Sequence, residues 1–312
     1  MQILAEFAMK SRGRAVGAVA GFGIAGLFLP PVSIVSSALV ALVGLRLGLT
    51  QALVVLAIAS ALLGAALWGL SPGTPGPAVL LAGVIQWLPV ALLAELLRRT
   101  VSWRITLKAG ALVAGAGVLL MHALVPDAEA FWVRAGMELL APLVETGEAA
   151  AREELEAVLA DLAPYLAGLL AGIVLLSVTL AMLIARYWQA ALYNPGAFGA
   201  EFRALQLGPG VSAAAVVLLA VGQLVPSPLA MELAFILGVL FFLQGIALMH
   251  ALTHGQGMSV FWLVGMYILM ALALPQMFLL LATIGVIDAW ADIRRRMGIG
   301  RERDAGDDPP ES

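Results

Sequence analysis

The sequence predicts an all-α fold, a polytopic transmembrane helical bundle with eight to ten membrane segments. Three observations predict it. Of 312 residues, 62% are hydrophobic and only 12% charged, with mean hydropathy +1.00; a soluble domain is roughly half apolar and about a quarter charged. The apolar residues fall into ten runs, several of span length, and a bilayer core needs roughly 20 residues per helix. The basic residues gather in alternate connections between those runs, as the positive-inside rule requires.

The runs follow in order. The opening MQILAEFAMKSRGRA carries Lys10, Arg12 and Arg14 ahead of an apolar stretch. That stretch continues past 30 residues without a polar cleavage region, so it reads as a retained membrane segment rather than a signal peptide. It splits into 15–29 and 31–45 at Pro30-Pro31, because proline removes a donor and disfavours helix in the residue before it. The third run, 50–70, ends at the turn cluster SPGTPGP. The fourth, 77–97, stops at Arg98 and Arg99, and the fifth, 105–125, at Pro126. The sixth covers 163–186, the seventh 209–225 and the eighth 228–252. Residues 259–290 are too long for one comfortable span, and Pro275 divides them.

An N-terminus placed in the cytoplasm, with each run crossing once, puts 15 of the 17 basic residues inside and only Arg134 and Arg152 outside. An even number of crossings returns Arg294, Arg295 and Arg296 to the cytoplasm. Re-entrant hairpins at either end give the same orientation. The location predicted is a bacterial cytoplasmic (inner) membrane, with both termini cytoplasmic. One membrane domain then covers 1–296, followed by a polar tail, 297–312, expected to be disordered.

Two stretches leave the bilayer. Residues 126–162 hold nine acids against two arginines. Trp132, Leu139 and Leu143, then Leu155, Val158, Leu159 and Leu162, keep helical spacing. Two short amphipathic helices divided near Pro142 and Gly147 are expected, lying on the outer interface as an acidic linker or a lid. On the other side, 185–210 (ARYWQAALYNPGAFGAEFRALQLGPG) combines an aromatic belt, the turn Asn194-Pro195-Gly196 and a short surface helix. This cytoplasmic loop, 186–208, is a candidate docking surface.

No Walker A, HExxH or GxSxG pattern occurs, and there is no cysteine, so neither a thiolate metal site nor a cysteine nucleophile is available. No enzyme activity, cofactor, metal or nucleic-acid partner is expected. His250 and His254 have the i, i+4 spacing of a metal pair but lie where a helix should end, with no carboxylate near in sequence. Polar residues inside spans are costly and therefore the place to look for a site. Gln86 beside Trp87, with Gln223, Glu232 and Gln244, form the candidate small-molecule set; His122 and Gln276 are the remaining polar residues of the runs considered. The simpler reading gives each glutamine one interhelical hydrogen bond. Small residues four apart, Gly17/Gly21/Ala25 and Ala57/Ala61/Ala65, read as packing faces.

The stretches RYWQAALYNPGAFGAEFRALQL, FFLQGIALMHAL and IGVIDAWADIRRR, with AEFAMKSRGRA at the start, resemble the YybS-like family of bacterial membrane proteins. That family has no established activity. Its fold is grouped with the S components of energy-coupling-factor transporters and with the rod-shape protein MreD. The resemblance implies an S-component-like bundle, although this chain exceeds the usual six spans. It implies two functions: a small-molecule-binding transport component served by a separate ATPase or coupling module, or a membrane scaffold that docks envelope-growth proteins. For the scaffold the residues are Arg186, Trp188, Asn194, Phe202, Arg203, Asp288 and Trp290.

Overall fold

The computed structural model describes residues 2–70, 76–144 and 149–298. Every regular element among them is helical. The order is α1 (Gln2–Met9), α2 (Arg12–Phe28), α3 (Ser33–Leu47), α4 (Leu49–Leu70), α5 (Gly76–Thr100), α6 (Trp103–Leu124), α7 (Ala128–Val144), α8 (Ala149–Leu162) and α9 (Leu166–Tyr193). There follow α10 (Ala197–Arg203), α11 (Pro209–Leu224), α12 (Pro228–Gly255), α13 (Phe261–Leu272), α14 (Leu274–Ala291) and α15 (Ile293–Arg296). Six stretches are long and apolar enough to cross a membrane: Pro30–Leu47, Leu49–Gly69, Trp103–Leu124, Ala151–Tyr193, Pro228–Gly255 and Leu274–Ala291. Two shorter apolar helices, α11 and α13, accompany them.

The breaks lie where local chemistry puts them. Pro30-Pro31 form a single 3-10 turn between α2 and α3. Pro275 occupies the first turn of α14, after Ala273 has left helical geometry at φ −140, ψ 55. Asn194-Pro195-Gly196 end α9, with Gly196 at φ +91, a conformation glycine adopts without strain. The acidic insert folds as α7 and α8, which pack on each other with Leu159 against Gly136. One expectation shifts: helix α9 continues to Tyr193, so the loop expected over 186–208 is shorter. The SPGTPGP turn, Gly147 and the tail from 299 lie at least partly outside the described residues.

By their contacts the described residues gather into two compact units, 1–110 with 176–202 and 111–175 with the described residues from 203 on. In the first unit α3 is the central helix: every residue from Ser36 to Leu45 is buried, against α2, α4 and α5. In the second, α12 has that place, buried over most of its length against α11 and α14. Both are apolar all round, the pattern of a fully enclosed helix. Outside these cores the apolar residues are bare: Leu112 is 74% exposed, Phe261 82% and Leu272 79%. So large an exposed apolar surface fits lipid rather than water.

The small residues that pack are not the ones the spacing singled out. Gly17 and Gly21 meet nothing within 4 Å, and Ala57, Ala61 and Ala65 face outward. The close crossings lie elsewhere. A Cβ on Gly245 would stand 2.0 Å from the Leu281 carbonyl oxygen, and one on Gly285 would stand 2.1 Å from the Phe241 carbonyl oxygen. Helices α12 and α14 therefore touch backbone to backbone, each supplying a glycine.

Candidate functional site

Glu232 stands one turn into α12, where a carboxylate inside an apolar helix needs partners. It is 2% exposed and has them on both oxygens. Oε1 accepts the backbone N–H of Gly168 from the start of α9 at 2.8 Å. Oε2 lies 2.6 Å from Nε2 of His122, near the end of α6. Three helix ends thus meet on one carboxylate, at the end of the bundle where the acidic insert attaches. Glycine is what admits α9, since a Cβ on Gly168 would lie 2.3 Å from Glu232 Cβ; Gly172, one turn on, admits Phe235 in the same way.

The pair is asymmetric. The Glu232 side chain is 1% exposed and that of His122 is 32%, so one member is enclosed and the other opens to its surroundings. Between Nε2 and Oε2 a single proton can pass with almost no movement of heavy atoms. The arrangement can hold a proton or present a carboxylate to a cationic group that displaces the imidazole.

A second polar group lies just past the middle of α12. Gln244 is fully buried; its Nε2 donates to Asp288 Oδ2 of α14 at 2.8 Å, and its Oε1 accepts the Leu207 N–H at 2.9 Å. Arg294 of α15 donates from Nη1 to the Leu205 carbonyl at 2.7 Å and pairs with Asp288 Oδ2 at 3.5 Å. Gln206 donates to Asp292 at 3.2 Å. Residues 204–208 form no helix, and their buried backbone groups must be satisfied from outside the segment. Gln244 and Arg294 do this, with Asp288 holding both. Burial pulls the Arg294 guanidinium below its ordinary pKa, while Asp288 and Asp292 act the other way.

The candidate small-molecule residues each have their own surroundings within their unit. Gln86 and Trp87 belong to the first unit, where Gln86 donates to the Ser33 carbonyl and Trp87 is fully buried against Gly23. Gln223 is exposed, with only the Met231 sulfur near it at 3.9 Å. Glu232 and Gln244 are twelve residues apart, about 18 Å along the helix, each with its own partners.

Among the docking candidates, Trp188 and Asp288 are each 1% exposed. They are interior residues and present nothing to a partner, a correction to reading the aromatic and charged stretches as surface. Arg186 is engaged with Glu201 and Gln189. Phe202 stacks on Phe198, which in turn meets Tyr187 edge-on. Asn194 is exposed and Arg203 half-buried. Trp290 is 60% exposed, its Nε1–H donating to Ser212 Oγ at 2.6 Å. His250 reaches the Tyr267 hydroxyl at 2.8 Å.

Four participants escaped the sequence reading as site residues. His122 stood out as an intramembrane histidine, but its partner is 110 positions away. Gly168 and Gly172 carried a usable signal, two glycines four apart beginning an apolar run. Arg294 looked like one member of a solvated basic run. No family model, no curated protein and no solved structure matches the chain.

Proposed function

We propose that this chain is a small-molecule-binding component of a membrane transport system, with the Glu232–His122 pair at the centre of its site. The observation that carries the reading is the convergence of α6, α9 and α12 on one enclosed carboxylate. A buried intramembrane carboxylate with a histidine beside it costs stability that a purely structural contact could avoid, and such groups mark substrate, ion and proton paths. In this reading the chain lies in a bacterial inner membrane with both termini cytoplasmic and eight to ten membrane segments, and the pair faces the outer leaflet beneath the acidic insert. The likeness to the YybS-like family and to S components belongs to the same proposal, as does a separate ATPase or coupling module.

The test is purification of wild type and Glu232→Gln in mild detergent, with mass spectrometry of copurifying small molecules and proteins. The amide keeps the shape and loses the charge. A small molecule present with wild type and at least tenfold depleted from the variant supports the reading. Identical recovery from both proteins overturns it.

A scaffold role, linked to envelope growth as MreD-like proteins suggest, is the second reading. It is favoured by the half-exposed Tyr187 beside the Phe198–Phe202 stack and the exposed Trp290 at the α14 terminus. Recovery of envelope-growth proteins that is unchanged by Glu232→Gln and lost on Tyr187→Ala would select it.

A further inference from the structure

The first unit carries nine basic residues against three acids, Glu6, Glu95 and Glu201. All nine stand at one end of it, because α2, α4 and α6 begin there and α3, α5 and α9 finish there. Two of the acids are already engaged: Glu95 accepts from Arg98 and Arg99, and Glu201 from Arg186. The positive field at this end is therefore largely uncompensated by the unit itself.

Beneath that field lies a cavity of about 440 Å³ bounded by α1, α2, α3 and α4. Ala15, Val43 and Val55 form its buried floor, and the accessible apolar lining is Leu47, 56% exposed, with the half-buried Met9. Its mouth is the exposed corner of Ser11 and Arg12. There Arg12 Nη2 donates to Gln51 Oε1 at 2.8 Å, which fixes the guanidinium at the rim. A cation anchored over an apolar hole is complementary to an anionic amphiphile. It suits neither a free inorganic anion, which has no use for the walls, nor a neutral lipid, which has no use for the arginine.

We propose that this cavity is a binding site for one anionic phospholipid of the adjoining leaflet, with its phosphate at Arg12 and part of an acyl chain against Leu47 and Met9. Juxtamembrane cations gain about 1 kcal/mol each from an anionic lipid surface. An arginine that holds one lipid should therefore show about a fivefold effect on its affinity.

The experiment is native mass spectrometry of the delipidated full chain titrated with dioleoylphosphatidylglycerol or dioleoylphosphatidylcholine. Phosphatidylglycerol is expected to give a one-lipid adduct at lower concentration than phosphatidylcholine. Arg12→Gln should weaken that adduct about fivefold and leave phosphatidylcholine unchanged. Arg104→Gln, a cation of the same end that does not line the cavity, should leave both unchanged. Leu47→Asn, which makes the accessible apolar wall polar, should weaken the phosphatidylglycerol adduct with Arg12 intact. Position 12 is exposed, so its variant should keep the wild-type unfolding temperature. Equal binding of the two lipids overturns the proposal, as does an equal loss in Arg104→Gln, which would make the attraction a diffuse field. Displacement of the adduct by millimolar inorganic phosphate overturns the acyl-chain part. A dimer that excludes the lipid and persists in Arg12→Gln would make a second copy of the chain the occupant.

Discussion

The two units handle charge in opposite ways. The first keeps its ionisable groups at one end, and its only buried one among the described residues is Glu95, whose partners Arg98 and Arg99 reach water. The second encloses Glu232, Asp288 and Arg294 inside or directly beside its helices. The first is an apolar bundle with its charges gathered at one end. The second has placed its costly groups where they hold irregular backbone or pair a carboxylate with an imidazole.

The largest expected effect tests that contrast directly. Asp288→Ala leaves Arg294 without its ion pair and Gln244 without its acceptor in the interior of the second unit. Breaking a buried pair from one side costs about 3–5 kcal/mol. Glu95→Ala in the first unit frees two arginines that return to water at little cost, and it removes the cap on the Leu49 N–H, a loss of about 1 kcal/mol. Thermal unfolding in mild detergent should show a much larger drop for Asp288→Ala. Equal drops would mean that the enclosed cluster adds nothing beyond an exposed one.

The next contrast concerns glycine. Gly285→Ala drives a methyl into the Phe241 carbonyl and must part α12 from α14, at about 1–3 kcal/mol or more. Gly17→Ala meets open space and should be neutral or stabilising by up to about 1 kcal/mol, because alanine is the better helix former. Opposite signs in the same unfolding assay are expected; a destabilising Gly17→Ala would show that this face of α2 is covered by something outside the chain.

These glycines also show what the sequence could and could not convey. The segment boundaries were legible because proline and glycine act locally: Pro30-Pro31, Asn194-Pro195-Gly196 and Pro275 each end or begin a helix by removing a donor or allowing a turn. Partner choice was not legible. Gly17/Gly21 and Gly245 look alike in sequence, and only the crossing with α14 distinguishes them. Glu232 was visible as an acid in a span, whereas its link to His122 depends on which helix ends meet. Trp188 and Asp288 misled because a residue at the edge of a hydrophobic run has the same composition around it whether it turns inward or outward. Arg294 differs from Arg295 and Arg296 by burial alone.

The smallest effect separates anchoring from display at the end of α14. Trp290 Nε1–H donates to Ser212 Oγ, and the same hydroxyl reaches the Val286 carbonyl at 3.4 Å. The indole thus ties α11 to α14 while most of its ring stays exposed. Trp290→Phe keeps the ring and loses the donor, so a loss of about 1 kcal/mol is expected. Ser212→Ala should cost somewhat more, since it also loses the long bond to the Val286 carbonyl, and the double variant should cost little more than Ser212→Ala alone, since the two share the indole–hydroxyl bond. Additive losses would show that the exposed ring face contributes separately, and that would shift weight from the interior of the second unit towards its surface as the working part of the molecule.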